Sequence, residues 1–157
     1  MNSCCNVSNN PFEFFDISVS FKIDEDILRN KYFQYCMQYR DDKNKLMLAH
    51  QHYKLLQNSV QRLDFILHDI HGINLENQAT IASDVVNLYE EISNLSPDSC
   101  DSFIAKIIEL YEIANETIQQ LLEQKDFVSL REWRNRILYY EKFISEAYKT
   151  KLTLIAK

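Results

Sequence analysis

The sequence has very little glycine and proline: its 157 residues include one glycine, Gly72, and two prolines, Pro11 and Pro97. Tight turns between β-strands depend on glycine and asparagine–glycine pairs, so this scarcity disfavours a sheet protein and favours long helices. A phosphate-binding loop of the Walker or Rossmann type also needs several glycines, whose backbone N–H groups approach the phosphate. The sequence therefore excludes both of these nucleotide sites.

A basic surface is missing as well, because 23 acidic side chains outweigh 17 basic ones and the net charge is −6. Residues 1–75 carry nine acidic and eight basic side chains, and residues 76–157 carry 14 acidic and nine basic ones. Nucleic-acid binding draws most of its affinity from Lys and Arg contacts to phosphate. Neither half provides such a surface, so we expect a protein partner and no nucleic acid.

Long apolar runs are also lacking, and we expect no secretory leader. No segment approaches the roughly 20 apolar residues that cross a bilayer, and the opening MNSCCNVSNN has neither a basic nor an apolar stretch. The cysteines show neither C-x-x-C spacing nor a disulfide framework; they are Cys4, Cys5, Cys36 and Cys100. We therefore expect reduced thiols, no membrane partner and a cytoplasmic location in a bacterial cytosol, with the mitochondrial matrix less favoured.

Residues that could carry chemistry are poorly arranged for it. His68 and His71 share a helix face and could reach one ion, but the sequence supplies no further ligand that would complete the site. Adjacent carboxylates such as Glu90 and Glu91 do not face each other on a helix, so they cannot flank one substrate atom. We expect solvated or partly buried histidines, no bound metal, no cofactor and no enzymatic activity.

What the sequence does contain is apolar residues at helical spacing. Asn10-Pro11, Asp24 and Asp126 are expected to begin helices, and Gly72 is expected to end one in a left-handed conformation. The apolar stripes run over 28–39, 46–56, 60–70, 81–92, 103–121 and 130–144. They predict an all-α protein with a disordered tail at 1–9, a helical region at 10–75 and a three-helix bundle at 76–157.

Two stretches resemble the HscB family of J-type co-chaperones. The segment NPFEFFDISVSFKID at 10–24 resembles the opening of its J-domain, and VQRLDFILHDIHG at 60–72 resembles the end of that domain. The segments at 102–104 and 140–143 are similar to the family's C-terminal bundle. This resemblance covers nearly the whole chain and implies a J-domain-like helical hairpin packed with a C-terminal three-helix bundle.

The resemblance also implies two partners. In the family, the J-domain engages an HscA/DnaK-type chaperone and stimulates its ATPase, and the bundle binds the iron–sulfur scaffold protein IscU. Carried over by position, the chaperone-binding residues are Arg29, Lys31, Arg40, Asp41, Asp42 and Lys43. The scaffold-binding residues are Ala82, Ser83, Val86, Asn87, Glu90 and Tyr139, where Ala82 and Ser83 replace large apolar groups and predict a shallower contact.

The chain departs from the family at the motif that triggers the chaperone. J-domains carry His-Pro-Asp after the second helix, whereas Tyr39 is followed here by Arg40, Asp41 and Asp42. Arginine is a longer and permanently charged group, and aspartate lacks the fixed backbone angle of proline. The following loop is also shorter than in the family. We therefore expect impaired ATPase stimulation, and the alternative is a helical interaction module that kept the fold but lost chaperone coupling.

Overall fold

The computed structural model describes residues 8–75 and 81–156. Within these ranges the chain forms seven α-helices and no β-strand, which confirms the all-α prediction. The helices are α1 (Pro11–Phe14), α2 (Glu25–Gln38), α3 (Lys43–Gln57), α4 (Ser59–Phe65), α5 (Ser83–Ser93), α6 (Cys100–Gln124) and α7 (Phe127–Ile155). A π-helical turn, Ile66–Ile70, continues α4, and a 3₁₀ turn, Pro97–Ser99, precedes α6.

The chain divides into two compact units, Met1–Ile70 and His71–Lys157. The boundary predicted from the sequence lies slightly later, between residues 75 and 76. Residues 76–80 lie outside the described ranges. Residues 1–7 of the predicted disordered tail lie outside them too, together with Cys4 and Cys5.

Helix ends follow the capping residues that the sequence predicted. The Asn10 side chain accepts a hydrogen bond from the Phe12 backbone N–H at 3.0 Å, with Pro11 as the first helical residue. Asp24 caps α2 and Asp126 caps α7 in the same way. Gly72 has a φ of +67°, the left-handed conformation that glycine adopts without strain. These local signals set where the helices start and stop.

In the first unit, α2 and α3 pack as a helical hairpin, and α1 and α4 pack against α3. Aromatic rings fill much of this contact: the ring of Tyr32 stacks on that of Tyr53, with centroids 4.2 Å apart. The fully buried apolar side chains of this unit include Phe12, Phe21, Leu28, Ala49, Leu56, Leu63 and Leu67. The sequence stripe of α2 is thus confirmed as the packed side of that helix.

Arg62 is a charged side chain buried inside the first unit, with 7% of its surface exposed. Its Nε donates a hydrogen bond to the Phe21 carbonyl oxygen at 2.6 Å, and its Nη1 donates to the Leu56 carbonyl oxygen. The guanidinium also lies 5.1 Å from the centroid of the Phe21 ring. Arg62 of α4 therefore holds together the loop before α2 and the last turn of α3.

In the second unit, α6 and α7 form a long hairpin and α5 packs against α7. The buried side chains include Val85, Leu88, Phe103, Ile107, Ile118, Leu130, Ile137, Tyr140 and Phe143. One residue of the predicted α5 stripe is misplaced: Ile81 is 50% exposed. The reason is that Ala82 is extended (φ −66°, ψ 146°) and α5 begins only at Ser83, so Ile81 is out of helical register.

Candidate functional site

The segment at 40–42, which the family resemblance aligns with the His-Pro-Asp motif, lies between α2 and α3. Arg40 and Asp41 are exposed and form an ion pair with each other, with Nε and Oδ2 3.7 Å apart. Asp42 makes a different kind of contact: its Oδ1 accepts a hydrogen bond from the Lys45 backbone N–H at 3.1 Å. It is therefore the N-cap residue of α3. Asp42 thus has a structural role at the start of a helix.

Because Asp42 caps α3, replacing it with alanine is expected to lower the free energy of unfolding by about 1 kcal/mol. Asp42→Asn keeps a side-chain acceptor for the Lys45 N–H and should cost much less, since asparagine caps about as well as aspartate. Urea unfolding of the wild type and both variants measures the difference. Equal stability of the alanine and asparagine variants would contradict the capping role.

The basic side chains predicted to bind the chaperone are mostly engaged within the first unit. Arg29 pairs with Asp26 at 3.2 Å, and Lys31 Nζ donates to the Asp16 carbonyl oxygen at 2.5 Å. Lys43, the first residue of α3, is exposed and makes no ion pair with another described residue. Two of the six residues therefore belong to α2, three lie in the following loop, and Lys43 begins α3.

The predicted scaffold-binding residues on α5 lie at its start and along its exposed side. Ala82 is the half-buried N-cap residue, and Ser83 is the exposed first residue of the helix. Val86 is 45% exposed although it is apolar. Asn87 and Glu90 are exposed as well. The helix thus presents these side chains away from the buried residues that contact α7, as the helical spacing predicted.

Tyr139 of α7 is half-buried in an aromatic cluster with Tyr89 of α5 and Phe143 of α7. The Tyr89 ring meets Tyr139 edge-on at 5.7 Å between centroids, and it meets Phe143 edge-on at 4.9 Å. Partial burial raises the pKa of the Tyr89 hydroxyl, and the neighbouring Tyr139 and Glu146 raise it further. The cluster places Tyr139 beside α5, next to the helix that carries the other predicted scaffold contacts.

Tyr89 is a surface aromatic that the sequence analysis did not assign to the site. Its side chain is 38% exposed and lies one turn after Val86, on a neighbouring part of the α5 surface. Helical periodicity could have identified it, because position 89 lies on the helix surface between the buried stripe of α5 and the predicted contact residues. Tyr89, Val86 and Tyr139 together give this side of the unit an apolar and aromatic surface.

A groove of about 600 Å³ lies between α5 and α6 in the second unit. At its edge the carboxylate of Glu91 pairs with Lys106, with Oε1 and Nζ 2.6 Å apart. The residues that line it are Asn87, Glu90, Glu91, Asn94, Leu95, Ser99, Ser102, Phe103 and Lys106. Two of the predicted scaffold contacts, Asn87 and Glu90, therefore border an open groove whose lining is both polar and apolar.

No three His, Cys, Asp or Glu side chains among the described residues come together as a possible metal site. His68 lies beside Asp69 with 3.7 Å between Nδ1 and Oδ1, and the His71 ring lies 5.1 Å from the ring of Phe127. None of the helices in the described part of the chain is long and apolar enough to span a bilayer.

Comparisons with known proteins give a clear result only at the level of structure. No family model and no curated protein matches the sequence. The structure is similar to the chaperone HscB from Vibrio cholerae, with a TM-score of 0.77 and 17% identity over 92% of this chain and 99% of that one. It is also similar to human co-chaperone protein HscB, with a TM-score of 0.81 and 16% identity over 94% of this chain and 84% of that one. The chain therefore has the HscB fold, a J-domain joined to a C-terminal helical domain.

Proposed function

We propose that the chain is an adaptor of the HscB type, which binds an iron–sulfur scaffold protein of the IscU type and presents it to an HscA/DnaK-type chaperone. The observation that carries this proposal is the extent of the structural likeness, which takes in 92% to 94% of the chain and therefore both units. Because fold alone does not determine function, the surfaces of the two units have to supply the binding.

The scaffold would bind the second unit through the exposed side of α5 and Tyr139. Val86 and Tyr89 contribute exposed apolar and aromatic surface there, and Glu90 adds a carboxylate at the rim. Interfaces commonly combine an apolar or aromatic centre with a polar edge. The second half of the sequence also carries 14 acidic and nine basic side chains, which favours a partner with a basic surface.

On this proposal the protein should stimulate ATP hydrolysis by its chaperone weakly or not at all. Arg40 and Asp41 pair with each other where the family has His-Pro, and Asp42 caps α3. Steady-state ATP turnover of the chaperone, with and without the chain and the scaffold, measures the effect. An HscB protein with an intact His-Pro-Asp motif is the positive control. Strong stimulation by the wild-type chain would contradict the expectation of an impaired motif. Its loss in both Asp42→Ala and Asp42→Asn would then show that the Asp42 carboxylate, and not its cap alone, triggers the chaperone.

The second candidate function is a helical interaction module that binds the scaffold or another protein without any chaperone. The observation that favours it is the altered segment at 40–42, whose two exposed side chains satisfy each other. Binding experiments separate the two candidates. The adaptor binds both scaffold and chaperone, whereas the module binds its protein partner and leaves the chaperone free.

A further inference from the structure

We propose that the outer face of α6 is a separate binding surface of the second unit and that it takes a basic amphipathic helix of a protein partner. Two isoleucines of this face are open to solvent: Ile108 is 42% exposed and Ile113 is 51% exposed. Three exposed glutamates lie beside them on α6. We define the outer face of α6 by these five side chains, which are Ile108, Glu109, Glu112, Ile113 and Glu116.

Helical spacing brings the isoleucines and the glutamates of this face together. Ile108 and Glu112 are four residues apart, and so are Glu109 and Ile113, which makes each pair neighbours on the helix surface. Ile118, on the packed side of α6, is 0% exposed. No residue of the outer face lines the groove between α5 and α6 or belongs to the aromatic cluster on α5 and α7. The face is therefore distinct from the surface proposed for the scaffold.

The outer face also carries negative charge that the second unit does not neutralise. Glu109 and Glu112 are exposed and make no ion pair with another described residue. Lys106 lies three residues before Glu109, but its Nζ pairs with the carboxylate of Glu91 on α5 at 2.6 Å. Glutamates three or four residues apart repel each other and destabilise a helix. A cationic partner that bound here would relieve this repulsion.

The combination of charge and apolar surface decides the chemistry of the occupant. Carboxylates repel the phosphates of nucleic acids and the anionic surface of a membrane. A second copy of the chain is disfavoured as well, because residues 76–157 carry 14 acidic and nine basic side chains and two such units repel each other. A protein segment that brings lysines or arginines to the glutamates and aliphatic side chains to the isoleucines matches both features.

An amphipathic helix presents these two kinds of side chain at the spacing found on α6. The probe is therefore a labelled helical peptide of about 20 lysines and leucines, with the leucines on one side of the helix. A peptide of the same composition in scrambled order is the control ligand. Fluorescence anisotropy with the full-length chain measures both affinities. We expect saturable binding of the amphipathic peptide and at least ~5-fold weaker binding of the scrambled one, since only the first contacts isoleucines and glutamates together.

The double variant Ile108→Gln/Ile113→Gln tests the apolar part of the face. It removes two exposed aliphatic side chains, keeps the charge and should weaken binding of the amphipathic peptide about 10-fold. Val128→Gln is the matched control, because Val128 is an aliphatic side chain of α7 that is 83% exposed and outside the face. This control should bind the peptide like the wild type.

The double variant Glu109→Gln/Glu112→Gln tests the charged part. It should weaken binding about fivefold at about 50 mM salt and much less at about 300 mM salt, where charge pairs are screened. Asp98→Asn/Glu123→Gln changes the net charge equally by removing two exposed carboxylates elsewhere in the second unit. It should bind like the wild type, which separates the local face from the total charge of the chain.

Several outcomes would overturn the inference. Equal affinities for the two peptides, or equal affinities of the wild type and Ile108→Gln/Ile113→Gln, would leave only a contact between opposite charges. A wild type that binds neither peptide would remove the surface altogether. Self-association of the wild type that this double variant loses would make the occupant a second copy. Tyr139→Ala should bind the peptide normally, and its failure to do so would move the site to the scaffold surface. None of these results alters the scaffold titration of the wild type, so the proposed function is tested separately.

Discussion

Replacing Arg62 with methionine should lower the free energy of unfolding of the first unit by roughly 3–4 kcal/mol, the largest effect expected from a single substitution here. The side chain is buried and donates to the carbonyl oxygens of Phe21 and Leu56. Methionine has a similar volume but no donor, so it would leave both buried oxygens without the charged partner they now have. Urea unfolding followed by circular dichroism measures the loss.

Two further variants show whether this loss comes from the buried hydrogen bonds. Arg29→Met removes an exposed arginine whose side chain is 51% exposed, and it should cost about 0.5 kcal/mol or less because surface ion pairs contribute little. Arg62→Lys keeps the charge but cannot reproduce the planar fork, so it should recover only part of the stability. If Arg62→Met unfolds at the same urea concentration as Arg29→Met, the buried contacts contribute nothing measurable.

Replacing Tyr139 with alanine is expected to weaken binding of the IscU-type scaffold by about 1–2 kcal/mol, the size of a modest interface hot spot. The sequence analysis placed this residue in the scaffold-binding set, and the structure packs its ring against Tyr89 and Phe143. Because the ring is half-buried, the variant should also lose about 1 kcal/mol of stability, as aromatic pairs contribute beyond the area they bury. Isothermal titration with the scaffold and a thermal melt measure the two effects.

Tyr148→Ala is the matched control, since Tyr148 is a tyrosine of the same helix that is 49% exposed and outside the predicted set. It should bind the scaffold like the wild type. Tyr139→Phe keeps the ring and should retain most of the stability, so any loss of binding in that variant comes from the hydroxyl. A Tyr139→Ala variant that binds normally but melts far earlier would assign the residue to the core alone.

Helix boundaries were predictable where a local interaction sets them. Asn10, Asp24 and Asp126 each cap the helix that follows, and a side chain two or three residues from its backbone partner leaves a mark in the sequence. Gly72 was identified for a similar reason, because few other residues adopt a left-handed conformation easily. The start of α5 was harder to place, since Ala82 makes no side-chain cap and gives no such signal. Ile81 was therefore assigned wrongly to the buried stripe.

Contacts between residues that are far apart in the chain could not be predicted from the sequence. Arg62 reaches the carbonyl of Phe21, 41 residues earlier in the chain, and a backbone acceptor can belong to any residue type. The resemblance included Arg62 in a family-like stretch but gave it no role. Lys31 stays a predicted partner contact, and its hydrogen bond to the carbonyl oxygen of Asp16 was a further contact that its spacing did not indicate. Sequence spacing places a side chain on a helix face, and only the fold determines what it meets there.

The candidate site was predictable to the extent that helical periodicity defines its faces. Val86 and Glu90 are exposed on α5, as their spacing from Val85 and Leu88 implies. The aromatic cluster was not predictable in full, because Tyr89 meets Tyr139 only when α5 packs against α7. The exposed Phe33 and Met37 were likewise outside the set that the family resemblance supplied. Single apolar residues are common on protein surfaces. The sequence alone therefore does not show that two of them lie next to each other on the exposed side of a helix.

The most direct test of the adaptor proposal is an isothermal titration of the purified scaffold protein into the wild-type chain. The account predicts saturable one-to-one binding with a dissociation constant in the micromolar range or tighter, where 1 μM corresponds to about 8 kcal/mol of binding free energy. It also predicts that Tyr139→Ala weakens this binding roughly tenfold and that Tyr148→Ala does not. No detectable binding of the wild-type chain to the scaffold, with the scaffold shown to bind a known HscB protein, would contradict the account.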